Sequence, residues 1–289
     1  MPFPAGQTTD IIARTLAQQF TEAMPHPFVV DNKAGASGII GMALAKNATP
    51  DGYTLLVASS GPLVINASLY SKLPYDTLND FEPIGMIVKV AQFLVVNQTF
   101  PATNLKELIA YVKQHPNKFN FGSSGSGLTN HLTMELLKAN TGMQITHVPY
   151  KGAVASVTAL VSGEISMMFE SGPAMLAHVK SGKLKLIAVG SQRRSLLMPD
   201  VPTIAEAGVP GFEAYSWAAL LAPAGTPRPI IEKMNAELNA ALSRSATKEH
   251  LRGMAVETLQ YTPAQTTAYV KSEMKKWAII VKASGAQPD

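Results

Sequence analysis

The sequence predicts an α/β fold of two doubly wound lobes, and three observations carry that prediction. Short apolar runs alternate with amphipathic segments along most of the chain, the pattern of βαβ units and a parallel sheet. The 289 residues are enough for two compact lobes, each burying a core. Two longer apolar stretches, 91–96 and 215–222, bracket the middle of the chain as a pair of crossing strands would. Lobe one is therefore expected from residues 1–96 and 222–289, and lobe two from the inserted residues 97–221. The crossings would form a two-strand hinge.

Each element has a local reason. A helix over 9–23 places Ile12, Leu16 and Phe20 on one face. Strands are expected at 28–30, 54–58 and 93–96. In the middle block they recur at 119–122, 145–148, 165–169 and 184–189. A helix over 105–114 aligns Leu105, Leu108, Ile109 and Val112. The last third changes period to three helices, 227–243, 246–254 and 263–283. Pro227, Pro229 and Pro263 sit at helix starts, where a missing N–H costs nothing.

Composition removes several functions. With no cysteine there are no disulfides, thiolate metal sites or cysteine nucleophiles. The net charge of +4 is spread thinly, and the only adjacent basic pairs are Arg193-Arg194 and Lys275-Lys276, so no nucleic-acid partner is expected. The most apolar stretch, 84–96, is broken by Lys89 and Gln92 and falls short of the ~20 residues that cross a bilayer, so no direct membrane insertion is expected. His26, His115, His131, His147, His178 and His250 show no i, i+4 pairing, so neither a metal triad nor another cofactor is expected. His131 reads as a helix-surface or interlobe hydrogen-bonding residue, and Trp217 and Trp277 as packing residues.

The chemical signal lies in the turns after strands. Pro4-Ala5-Gly6-Gln7-Thr8-Thr9-Asp10, Ser59-Ser60-Gly61-Pro62 and Gly122-Ser123-Ser124-Gly125-Ser126-Gly127 each lead into a helix. Glycine admits a ligand to the backbone, hydroxyls donate, and a helix N-terminus favours an anion. Thr8, Thr9, Ser60 and Thr129 have an alternative role as N-caps. In open α/β sheets such turns sit at the carboxyl ends of strands, where ligands bind. Pro149-Tyr150-Lys151-Gly152 and Phe169-Glu170-Ser171-Gly172 repeat the pattern. Glu170 would accept from a ligand or tie down loop amides, and Lys151 would attract an anion or be solvated.

Enzyme motifs are not met. There is no G-x-S-x-G elbow, no P-loop, and Asn130 stands where a dinucleotide fingerprint needs its third glycine. An α/β serine hydrolase remains as an alternative only through Ser124 or Ser126 acting with His131, without a spacing signal.

Six ordered motifs carry a resemblance. They are Pro2-Phe3-Pro4-Ala5-Gly6 with Thr9-Asp10; Pro50-Asp51-Gly52-Tyr53-Thr54-Leu55-Leu56; Leu73-Pro74-Tyr75-Asp76 with Asp80-Phe81; His147-Val148-Pro149-Tyr150-Lys151-Gly152; Pro199-Asp200-Val201-Pro202-Thr203 with Glu206-Ala207-Gly208; and Ala222-Pro223-Ala224-Gly225-Thr226-Pro227. Over essentially the whole chain the sequence resembles the Bug family, the periplasmic receptors of tripartite tricarboxylate transporters.

The resemblance implies a type II periplasmic-binding-protein fold, a small carboxylate held in an interlobe cleft, and delivery to membrane transporter subunits by a monomeric, non-catalytic receptor. A ligand-sensing partner of a membrane signalling protein is the nearest alternative. The family's ligand loops fall on Phe3, Ala5, Gly6, Thr8, Thr9 and Asp10, and on Ser123, Ser124, Gly125, Ser126, Gly127 and Thr129. Ser60, Gly61, Gly152 and Glu170 would line the cleft, and Phe3 would stack on the ligand. Gln7 stands where the family often has a second glycine. The chain opens at Met1-Pro2-Phe3 without a signal peptide, and the family's first strand precedes this point, so lobe one is expected to lack its central strand.

Overall fold

The computed structural model describes residues 1–284, 286 and 287. In chain order its elements are α1 (Thr8–Ala23), α2 (Ile39–Lys46), β1 (Leu56–Ser59), α3 (Asn66–Leu69), β2 (Phe81–Asn97), α4 (Leu105–Gln114), β3 (Asn120–Ser123) and α5 (Thr129–Thr141). Then follow β4 (Thr146–Pro149), α6 (Ala153–Ser162), β5 (Met167–Ser171), α7 (Gly172–Lys180), β6 (Leu184–Val189), β7 (Tyr215–Pro223), α8 (Arg228–Ser243), α9 (Ser245–Arg252), β8 (Val256–Thr258) and α10 (Pro263–Ser284). The chain divides into two compact units. Unit one comprises Met1–Lys89 and Trp217–Val281; unit two comprises Val90–Ser216 and the described residues from Lys282 on. Among the described residues no helix is long and apolar enough to cross a membrane.

Unit one is built on antiparallel pairing of β1 with β7, Leu56 opposite Leu221 and Ser59 opposite Ala218. The apolar stripe of α1 behaves as its spacing predicts: Ile12, Leu16 and Phe20 are all buried. Trp217 and Trp277 are packing residues with a shared polar tie, because both indole N–H groups donate to Glu273 Oε2, at 2.8 and 3.0 Å. A buried indole N–H needs such an acceptor.

The strand expected at 28–30 is absent from the sheet. That segment has no ladder partner: the Phe28 N–H donates to Thr21 Oγ1 at 2.8 Å, and Val29 is 86% exposed. Apolar β-branched sequence does not make a strand without a neighbour to exchange backbone bonds with. A largely apolar groove lined by Met1, Val30, Leu55, Val57 and Leu220 runs beside it.

Unit two contains the parallel pairing that the βα alternation predicts, carried by β3 with β4 and β3 with β5. The second half of β2 adds antiparallel pairing to β5 and β6, so the sheet is mixed rather than wholly parallel. β2 itself runs 17 residues, far beyond the 93–96 segment the sequence marked. Leu94, Phe121, Met134, Phe169, Ile187 and Phe212 belong to one buried cluster under this sheet. Because β3, β4 and β5 run parallel, their carboxyl ends, Ser123, Pro149 and Ser171, lie along one edge.

Candidate functional site

In unit one the 3–10 loop is organised by Asp10. Its carboxylate is buried and accepts from the Gly6 N–H at 2.9 Å and Arg14 Nε at 3.0 Å on one oxygen, and from Asn32 Nδ2 at 2.9 Å on the other. Asn32 Nδ2 also donates to the Phe3 carbonyl at 3.0 Å, and Arg14 reaches Asn32 Oδ1 at 3.0 Å. Burial alone would push the Asp10 carboxyl up, but the bonds from Arg14, Asn32 and Gly6 outweigh it and hold Asp10 below the usual carboxylate range.

These ties present the loop. Phe3 is buried, Thr8 and Thr9 are half-buried, and Ala5 and Gly6 are exposed. Gly6 takes φ +82°, and a Cβ there would meet open space, so it is the backbone angle that calls for glycine. Gln7 has φ −75° and ψ 158°, an ordinary extended geometry; glutamine fits there without strain.

Ser60 and Gly61 are buried at the exit of β1, where a π-helical turn at Gly61–Ile65 runs into α3. A further small-residue turn lies against both segments and was missed by the sequence reading. Gly35, Ala36, Ser37 and Gly38 all have positive φ, from 46° to 130°. A Cβ on Gly38 would come within 3.1 Å of Pro62 and 3.5 Å of Pro2, and Asn66 Nδ2 holds the Ser37 carbonyl at 3.1 Å. Its signal was available: Gly-Ala-Ser-Gly before a helix has the same grammar as the turns that were marked.

In unit two the structure joins the predicted residues into one network. Gly152 N–H donates to the Ser124 carbonyl, and Tyr150 N–H to the Ser123 carbonyl, both at 3.0 Å, which clips the turn after β4 to the 123–127 loop. Ser124 Oγ donates to Glu170 Oε2 at 3.0 Å while accepting from Asn130 Nδ2 at 2.8 Å. Asn130 also reaches Glu170 at 3.3 Å, and the Ser171 N–H and hydroxyl both donate to Glu170 Oε1, at 2.8 and 2.9 Å. Burial raises the Glu170 pKa; the donors from Ser171, Ser124 and Asn130 pull against that rise without cancelling it. Lys151 is exposed.

His131 is buried in unit two, not at a helix surface as expected. Its Nδ1 accepts the Gly127 N–H at 3.0 Å, and its Nε2 faces Glu135 Oε1 at 3.9 Å. His147 stacks on it with ring centroids 3.7 Å apart and planes 7° from parallel, and Phe121 stacks on His147 at 4.9 Å. Two imidazolium ions at that spacing would repel by about 4 kcal/mol at an effective dielectric near 20. Burial first, then His147 and Lys138, lowers the His131 pKa to about 3, so the ring is neutral near pH 7. His147 Nε2 lies 2.7 Å from Ser123 Oγ.

The helix starts bear on what these loops can do. The residue capping α1 is Gln7 and that capping α5 is Leu128, and neither side chain makes a cap bond. Thr8, Thr9 and Thr129 therefore do not stand at cap positions. Among the described residues no cluster of three His, Asp or Glu could hold a metal. With Nδ1 of His131 accepting from Gly127, that ring is committed to the loop rather than to proton abstraction from Ser124 or Ser126.

Comparison with known proteins agrees with this arrangement. The family model TctC, tripartite tricarboxylate transporter family receptor, matches residues 12–286. Protein BugT of Bordetella pertussis is 38% identical over 288 residues, 99% of this chain and 88% of its own. The structure of R. palustris Rpa4515 with adipate superposes with a TM-score of 0.96 at 34% identity, covering 100% of this chain and 96% of that one. MatC from Rhodopseudomonas palustris with bound malate gives 0.91 at 30% identity, covering 97% and 96%. The periplasmic binding protein BugD gives 0.93 at 34%, covering 100% and 97%. The chain belongs to the tripartite tricarboxylate transporter receptor family, and it is a periplasmic solute-binding receptor of the TctC/Bug type, not an enzyme.

Proposed function

We propose that the chain binds a small organic carboxylate, with linear dicarboxylates of the adipate and malate kind as the first candidates, and delivers it as a monomer to the membrane subunits of a tripartite carrier. Each unit would offer a carboxylate one receiving loop: in unit one the 3–10 loop, with Ser60 and Gly61 beside it, and in unit two Ser123, Ser124, Gly125, Ser126, Gly127 and Thr129, with Gly152 and Glu170 behind. The observation that carries this reading is the pair of small-residue loops opening α1 and α5 whose cap residues make no side-chain bond. Backbone amides at a helix start, with its dipole, favour a carboxylate. The relatives solved with adipate and malate, at 34% and 30% identity, support the ligand class.

Thermal melting with a panel of C3 to C8 mono- and dicarboxylates and amino acids tests it. A true ligand at a hundredfold over its Kd adds about 2.7 kcal/mol to the folded state, a rise of several degrees. A flat response across the whole panel from folded protein would reject the ligand class. Gly127 has φ +75°, so Gly127→Val both strains and fills the loop; it should abolish binding with the rest of the unit folded, and retained affinity would remove this loop from the site.

A further inference from the structure

The stacked His131–His147 pair is not explained by ligand contact or by catalysis. We propose that His131 is a positioning residue for the ligand loop of unit two: its unprotonated Nδ1 holds the Gly127 N–H inward, and His147 braces the other end of the same loop through Ser123. This deepens the binding reading above and rests on it.

The geometry divides the loop between the two rings. Gly127 is held by His131 at 3.0 Å. Ser123 Oγ donates to the Gly125 carbonyl at 3.1 Å and accepts the Gly125 N–H at 3.2 Å, while His147 Nε2 approaches it at 2.7 Å. Ser123 Oγ and His147 Nε2 form one short hydrogen bond whose direction follows the tautomer of the ring, and in either direction it ties the imidazole to the hydroxyl that holds Gly125. Gly125 at φ +149° and Gly127 at φ +75° are thus fixed from below by two imidazoles whose planes are set by stacking on each other and on Phe121.

The charged and titratable groups facing the pair are Glu135 and Lys138 from α5, themselves bonded at 2.7 Å, together with the two histidines. Protonation of His131 would cost the loop its acceptor and leave the buried Gly127 N–H unpaired. The amide that looks available to an anion in the sequence is therefore spent internally. What the ligand meets is the loop shape which that bond maintains.

Three proteins test this: wild type, H131N, whose side-chain oxygen offers an acceptor near the place of Nδ1 but does not titrate, and H131L, which offers none. Gly127 amide exchange should be slow in wild type and H131N and much faster in H131L. Adipate affinity, read by calorimetry at pH 7, should fall about tenfold in H131L and return to within about threefold of wild type in H131N. A folded H131L with wild-type affinity and slow Gly127 exchange overturns the proposal.

Should H131L not fold, the ring nitrogen shifts of wild type decide: Nδ1 must remain an unprotonated acceptor from pH 5 to 8. A ring protonated on Nδ1, or one titrating near 6.5, overturns the proposal. If wild type binds no carboxylate, the binding reading fails, and the exchange and nitrogen-shift arms still report whether His131 holds Gly127.

Discussion

The two candidate loops use opposite means to the same end. The 3–10 loop of unit one is tied to an ionised carboxylate, Asp10, whose charge is met by Arg14, with a guanidinium side chain that is 53% exposed. The 123–129 loop of unit two is tied on one side to His131, a buried neutral imidazole stacked on the half-buried His147, and on the other to Glu170, only 5% exposed. The Arg14 charge, half in solvent, can be replaced or screened at small cost. A buried network cannot, because each donor that loses its partner loses water as well. The second loop should therefore be the more rigid and the more sensitive to substitution.

The largest effect is expected where that asymmetry is greatest. Glu170→Ala strands donors on Ser124, Asn130 and Ser171 together, and should destabilise unit two by about 3–5 kcal/mol in chemical denaturation. A loss below 1 kcal/mol would mean that water replaces the carboxylate freely, and the contrast between the loops would collapse.

Acid separates the loops with a sign that can be worked out. His131 is lowered from 6.5 to about 3, so the unfolded chain takes up a proton that the folded one refuses; stability is full above pH 6.5 and declines as the pH falls from 6.5 toward 3. Asp10 is lowered from 3.8, so its contribution is present above 3.8 and lost only as the pH falls below that through its folded value. Glu170, raised from 4.5, acts in the other direction, its contribution fading as the pH rises from 4.5 through its folded value. Comparison with H131N isolates the histidine: relative to wild type, that variant should gain stability steadily between pH 6.5 and 4, whereas D10N should run parallel to wild type over the same range. Parallel curves for H131N would contradict a neutral buried ring.

Elements with strong period were legible in the sequence. The helix expected over 9–23 is found at Thr8–Ala23, that over 105–114 at Leu105–Gln114, and the strand over 184–189 at Leu184–Val189. Period fails where structure depends on a neighbour. Residues 28–30 look like a strand and lack a ladder, while the sheet of unit two is mixed because β2 enters antiparallel. The candidate loops were visible from glycine and hydroxyl spacing, but their supports were not: Asn32 reaches Phe3 across 29 residues, His147 reaches Ser123 across 24, and Glu170 reaches Asn130 across 40. A histidine or asparagine that works at such distances carries no local signature. The Gly35–Gly38 turn did carry one, in Gly-Ala-Ser-Gly ahead of a helix.

The smallest predicted effect tests the exposed side of the comparison. Arg14 sits four residues after Asp10 on α1, with its Nε at 3.0 Å from the carboxylate and half its side chain in solvent. Exposed pairs of this kind are worth about 0.2–1 kcal/mol, and salt screens them. Asp10 keeps the Gly6 N–H and Asn32 Nδ2 when Arg14 is gone, so Arg14→Met should cost about 0.5 kcal/mol at low salt and less as ionic strength rises. Ligand affinity should stay within about twofold, because the two remaining donors still fix the loop to the helix start. A loss comparable to that of Glu170→Ala would show that the guanidinium organises the first loop as tightly as the sealed network organises the second, and the two units would then differ in chemistry alone and not in rigidity.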